Sequence, residues 1–101
     1  MNRGVRILPE AEEELAAAAQ WYEERREGLG IQFITAMDAS VAWLAQAPDS
    51  CPIWLAGYPY RKLVMQCFPY VVFFRLVDDV IEIVAFAHAK RAPGYWLDRS
   101  R

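Results

Sequence analysis

Histidine is almost missing from this chain, which has only His88, and cysteine is scarce, with only Cys51 and Cys67. One imidazole and two separated thiols without CxxC spacing do not make a metal-ligand set, so no metal is expected. The thiols read as reduced structural side chains rather than a disulfide scaffold. No apolar run approaches the roughly twenty residues that cross a bilayer, and the N-terminus lacks a signal-peptide pattern, so no membrane partner is expected and the expected compartment is the cytoplasm. Nucleotide-binding glycine motifs, a P-loop and a serine elbow are all missing, which leaves cofactor-dependent chemistry without support. There is no repeat, low-complexity tract or linker, and residues 1–101 are expected to form one domain. Neither charge sign dominates: thirteen acids against eleven bases argue against a protein that simply coats nucleic acid.

What the chain does have is apolar and aromatic. Hydrophobic residues make up 55% of it, with four Trp, five Tyr and five Phe, enough for one core. In so small a body some of that aromatic surface must lie near the outside, where a partner protein or a second copy can use it. The charges are also sorted. Residues 1–48 hold eight acids and four bases, residues 49–101 five acids and seven bases, so a local basic site survives the acidic total.

Val5 to Leu8 is β-prone. Pro9 after it suits the first turn of a helix, and Glu10, Glu12, Glu13 and Glu14 place negative charge where the helix dipole is positive. Leu15, Ala18 or Ala19, and Tyr22 recur at helical spacing and define a buried face, with Glu23, Glu24 and Glu27 looking outward. Gly28 and Gly30 bracket Leu29, a composition that ends one helix and opens the next. Phe33 or Ile34, Met37, Val41 and Leu44 then predict an antiparallel second helix, stopped by Pro48. Ile53 to Ala56 is at most a brief strand. Arg61 to Phe68, Val71 to Val77 and Val80 to Ala87 read as three strands joined by the short turns Pro69-Tyr70 and Asp78-Asp79. Strict alternation in the last strand sends Ile81, Ile83, Ala85 and Ala87 toward the helices, and Glu82, Val84, Phe86 and His88 to a solvent-facing groove. Met1 to Gly4 and Arg99 to Arg101 read as frayed ends. The expected fold is α+β: an N-terminal strand and a two-helix antiparallel hairpin packed on a mainly antiparallel sheet of three to four strands.

The densest functional stretch is His88-Ala89-Lys90-Arg91-Ala92-Pro93-Gly94-Tyr95-Trp96, directly after the last strand. Its cations can hold phosphate or acidic surface and its rings can stack, so Arg61, Lys90, Arg91, Tyr95 and Trp96 form the candidate target-binding set. The competing structural reading has Tyr95 and Trp96 folding back to close the core. RNA cleavage would need a proton acceptor, a proton donor and phosphate-stabilising cations, for which Arg91, Lys62, His88 and Tyr95 are the candidates. Alternation puts Arg61 and Lys62 on opposite faces, so only one of them can serve a given site. Trp21, Trp43 and Trp54 are candidate anchors for a bound partner, with the core as the alternative place for each.

The segments Tyr60-Arg61-Lys62-Leu63-Val64, Phe68-Pro69-Tyr70-Val71-Val72-Phe73-Phe74-Arg75 and His88-Ala89-Lys90-Arg91-Ala92-Pro93 with Trp96 together resemble the RelE/ParE superfamily of type II toxin–antitoxin systems. The resemblance implies a β-α-α-β-β-β toxin neutralised by a cognate antitoxin in a hetero-oligomeric complex. It also implies one of two targets: ribosome-bound messenger RNA in RelE-like members, DNA gyrase in characterised ParE-like members. Arg91 matches a catalytic arginine of the ribonuclease branch, and Arg61-Lys62 falls where that branch carries basic residues. Val71 stands where it would have a phosphate-contacting arginine, and its late tyrosine has no clean match among Tyr95, Trp96 and Leu97. The Phe68-to-Val72 turn and the His88-to-Pro93 ending look more like the ParE-like branch, which makes growth inhibition through an essential target such as DNA gyrase the expected function. An mRNA endoribonuclease and an antitoxin-binding scaffold without toxicity are the alternatives.

Overall fold

A computed structural model describes residues 3–99 of the chain. Strand β1 (Gly4–Ile7) leads into helix α1 (Pro9–Arg25), helix α2 (Leu29–Gln46), a 3-10 turn (Pro48–Ser50) and strands β2 (Tyr60–Val64), β3 (Tyr70–Val77) and β4 (Val80–His88). The strands form one sheet in the order β1-β4-β3-β2. The β2–β3 and β3–β4 pairs are antiparallel as expected, but β2 stops at Val64 rather than Phe68, so residues 65–69 make the connection and Tyr70, expected in the turn, opens β3. β1 joins β4 in parallel through the α1–α2 crossover. No helix among the described residues is long and apolar enough to cross a membrane.

Local chemistry accounts for the joints. Pro9 occupies the first turn of α1, where its missing N–H costs nothing. Gly28, at φ 88°, enters α2 in the left-handed region. Glu23, expected to face solvent, turns back instead: its carboxylate accepts from the N–H groups of Gly28 and Gly30 at 2.9 and 3.0 Å. It thereby caps α2 from the end of α1. Gly30 has no room for a side chain, because a Cβ there would meet the Ala19 carbonyl at 2.7 Å. The two helices cross at that point. Asp78 and Asp79 both have positive φ, as a two-residue hairpin turn between right-twisted strands demands.

Strict alternation fails in β4. Phe73 faces Ala85 and Phe74 faces Ile83, so Val84 is an extra residue in the ladder and forms a β-bulge. Past it the faces exchange. Ile81, Ile83 and Phe86 pack with Phe33, Met37 and Leu44 under the helices, whereas Val84, Ala85 and Ala87 lie on the opposite face with Phe73. Ala85 and Ala87, expected toward the helices, are therefore on the far side, and Phe86 takes their place.

That far side is no open groove. Trp96, with no exposed surface, lies against Tyr60, Phe73 and Trp54, with ring centroids 4.6 to 4.8 Å away. The chain after β4 folds back as a second cover, so β4 is buried on both faces. Glu82 shares this face but is buried too, held by Arg6 of β1 and Arg75 of β3. Gly4 belongs to β1 and Arg99 is anchored to α1, which corrects the reading of these two residues as frayed. Met1, Asn2, Ser100 and Arg101 lie outside the described residues.

Candidate target-docking site at the end of the sheet

The C-terminal end of β4 gathers most of the residues the sequence singles out, and Glu14 organises them. Glu14 sits on the apolar stripe of α1, three residues after Ala11 and four before Ala18, both buried. A carboxylate so placed must find donors, and it finds them in β4 and the tail. It accepts the Phe86 N–H at 3.1 Å, the Tyr95 hydroxyl at 2.6 Å, Arg99 at 2.8 and 3.2 Å and Arg91 at 3.4 Å. Arg99 also donates to the Val84 carbonyl at 3.0 Å. β1 ends at Ile7, opposite Ile83, so the edge of β4 beyond it has no strand beside it. The side chains of Glu14 and Arg99 take up its Phe86 N–H and Val84 C=O, doing for the bulged edge what a neighbouring backbone would do.

Tyr95 is locked as a donor. Burial first, then the hydrogen bond and negative charge of Glu14, push its phenol well above the ordinary tyrosine value, against the smaller opposing effect of Arg91 and Arg99. The Arg91 guanidinium lies 3.5 Å from the centroid of the Tyr95 ring, with Arg99 on the same ring at 5.0 Å. The hydrogen bond to Glu14 likewise keeps Arg99 protonated beyond its usual range, against partial burial. Trp96, beside them, has a buried indole N–H with no hydrogen-bond partner among the described residues. An orphaned buried donor of this kind costs about 1–3 kcal/mol.

Two hollows meet at His88 and Arg91. The larger, about 620 Å³, runs between α1 and the ends of β3 and β4 and is walled by Trp21, Tyr22 and Tyr70, with Glu14 at its margin. The smaller, about 170 Å³, lies on the far side and is lined by Lys62, His88 and Arg91 with Trp54 and Phe73. Of the neighbouring basic pair on β2, only Lys62 reaches this site. Arg61 points the other way and donates to the Cys51 carbonyl at 2.6 Å, tying down the 51–53 connection. His88 rests edge-on to Tyr70 at 5.3 Å, and its Nδ1 accepts the Lys90 N–H at 3.1 Å. Lys90 and Arg91 are exposed on the turn.

Lys62, His88 and Arg91 thus come together, Tyr95 lies underneath, and Arg61 is elsewhere. Trp96 is core, because the fold-back of residues 94–99 delivers its ring to the sheet. Of the three partner-anchor candidates, Trp21 and Trp43 are half exposed over different hollows, the latter above Leu63 and Val64 at the β2 edge. Trp54 packs on Trp96 and Tyr58. Sequence reasoning missed Glu14 and Arg99. The available signal was the position of Glu14 on the apolar stripe, unlike its neighbours Glu12 and Glu13.

The family profile described as ParE toxin of type II toxin-antitoxin system, parDE, matches residues 5–93. The chain belongs to this ParE toxin family. The fold agrees: a chain of the chromosomal ParDE TA system from P. aeruginosa superposes with a TM-score of 0.76 at 16% identity, covering 87% of this chain and 97% of that one. No curated protein matches the sequence. Membership of a toxin–antitoxin family implies a cognate antitoxin partner, and the fold is the RelE/ParE-like α+β arrangement.

Proposed function

We propose that this ParE-family toxin acts in the cytoplasm by docking the C-terminal end of its sheet on an essential protein, DNA gyrase being the first candidate, without cleaving a substrate. One observation carries this reading: the Tyr95 hydroxyl is committed to Glu14, and burial and that carboxylate hold its proton. A group in this state cannot accept a proton from a ribose hydroxyl near neutral pH. Arg91 is similarly engaged by Glu14 and the Tyr95 ring, and the negative carboxylate in their midst opposes a scissile phosphate. What remains outward is an exposed cationic rim, Lys90 and Arg91, beside an aromatic-walled hollow, a composition suited to an acidic protein surface with an apolar anchor. The antitoxin shields the same toxin through an apolar segment, with Trp21 and Trp43 as its anchor points.

The test is purified chain added to gyrase supercoiling reactions, run beside mapping of transcript ends after induced expression. Inhibited supercoiling with unchanged transcript ends is the expected pair of results. Unaffected supercoiling by a preparation that still arrests growth removes gyrase.

A second reading rests on the smaller cleft, where Lys62, His88 and Arg91 converge with no carboxylate in the lining. If that cleft cuts RNA on the ribosome, new transcript ends appear on induction and vanish with Lys62→Ala. A chain that neither arrests growth nor does either of these things is an antitoxin-binding scaffold.

A further inference from the structure

The tail after β4 is fastened in an unusual way. It is not held by a strand ladder: among its backbone N–H groups, those of Arg91, Leu97 and Arg99 bond only to nearby carbonyls, of His88, Gly94 and Trp96. Its root is held by the Ala89 N–H on the Pro69 carbonyl at 2.7 Å, Trp96 and Leu97 pack on the sheet, and Tyr95, Arg99 and Arg91 all bond to the single carboxylate of Glu14. Arg99 adds its bond to the Val84 carbonyl. The closed arrangement is also incompletely satisfied, because the Trp96 indole N–H is buried without an acceptor. A segment three of whose polar side chains converge on one carboxylate, and which closes over an orphaned donor, has the makings of a two-state element.

We propose that residues 91–99 are a strap clasped by Glu14, which opens as a unit while the helix-covered core stays folded, and that the toxin meets its target in the strap-open form. This rests on the docking reading above and adds its regulation. Opening frees the Tyr95 hydroxyl and the Arg91 guanidinium from Glu14, brings the Trp96 ring and its N–H to the surface, and bares the bulged edge of β4 at Val84 and Phe86. A freed phenol, at the ordinary tyrosine value of about 10, still keeps its proton near neutral pH, so the non-cleaving reading holds for the open form too. In the closed form Lys90 and Arg91 already stand outward while the Tyr95 and Trp96 rings are withheld. Release of the clasp brings the rings out beside the cations.

A clasp and a scaffold at Glu14 have opposite consequences. If Glu14 merely props up the docking surface, removing it weakens the toxin. If it clasps a strap that must open, removing it enriches the binding-competent form, and each charge-assisted bond lost enriches that form by about tenfold.

The experiment follows hydrogen exchange by NMR at the Phe86 amide and the Trp96 indole N–H, in the full chain and in Glu14→Gln and Arg99→Gln, beside the inducer level that arrests growth. In the parent chain the two protons exchange through one shared opening, faster than the amides of Phe74 and Ile83. In both variants the pair exchanges about tenfold faster or more, core amides keep their protection, and growth arrest comes at lower expression. Exchange of Phe86 and Trp96 only with the core overturns the strap, as does acceleration of one without the other. Accelerated exchange with weaker growth arrest overturns its role in target binding. A parent chain that never arrests growth refutes the docking reading and with it the strap-open target complex, while the exchange data still decide whether the strap opens. Arg99→Gln guards against misfolding of the Glu14 variant, since it leaves α1 untouched.

Discussion

Replacing Glu82 by glutamine probes a carboxylate that ties three strands together. Glu82 is 4% exposed, and in the sheet register it stands opposite Arg6 of β1 and Arg75 of β3, both of which donate to it, Arg75 at 2.9 Å. Burial by itself would raise its pKa. The hydrogen bonds from Arg6 and Arg75, with their positive charges, outweigh burial and hold the carboxyl below the usual range. Because the folded-state value is depressed, the stabilisation is complete above the unfolded value of about 4.3 and is lost as pH falls through the folded value. Glutamine keeps the size and one acceptor but not the charge. Arg6, with 56% of its side chain exposed, regains water easily, whereas Arg75, at 26%, gives up its charged partner on β4 in drier surroundings. The cost at neutral pH is therefore about 2 kcal/mol, nearer that of a charged hydrogen bond than of a wholly buried ion pair. In a domain of this size that is a fall in Tm of roughly 10 °C. Urea denaturation of both proteins from pH 8 to pH 3 measures it. The parent loses more stability toward acid than the variant, and the two curves converge at the acid end. Curves that run parallel, or that differ by less than about 0.5 kcal/mol at pH 7, refute the argument.

Four further outcomes follow from the packing. In an alkaline absorbance titration of the folded chain, Tyr95 stays protonated well above the ordinary tyrosine value of about 10, and stability declines as pH rises past that value. Five tyrosines ionising together near pH 10 while the protein remains folded would contradict this. Gly30→Ala, whose Cβ would meet the Ala19 carbonyl and the Glu23 side chain, costs about 1–3 kcal/mol despite alanine's better helix propensity; an unchanged or raised Tm refutes the close crossing. Trp96→Ala costs about 3–5 kcal/mol, whereas Trp96→Phe, which exchanges indole volume for removal of an orphaned donor, costs far less. Equal losses in denaturation curves would show that the indole N–H is satisfied after all. Asn-Gly in place of Asp78-Asp79 raises Tm by a degree or more, since both positions have positive φ, and a fall would show that the aspartates do more than turn the chain.

The elements themselves were legible because they depend on local chemistry. Pro9 with its following acids starts α1, Gly28 makes the hinge, and Asp78-Asp79 makes the hairpin; each works through the backbone preferences of a few adjacent residues. The bulge at Val84 was not legible, since Val80 to His88 reads as an unbroken β-prone run. It arises only where β4 must match β3 on one side and the end of β1 on the other. From that single extra residue comes the exchange of faces that puts Phe86 under the helices and leaves Val84 and Ala85 for the tail to cover.

The candidate site divides the same way. Its cations and rings could be named in advance because His88 to Trp96 is compact in sequence, and alternation on β2 correctly separated Lys62 from Arg61. Its acid could not be named so readily, because Glu14 lies more than seventy residues from the groups it holds. The sequence by itself determined the elements, their order, the hairpin pairings and the basic, aromatic end of the last strand, all of which follow from neighbours along the chain. Only the tertiary structure decided that β1 stops short of the bulge, that Glu14 and Arg99 finish the exposed edge of β4, and that Trp96 lies inside, because those outcomes depend on which distant groups must share a desolvated space.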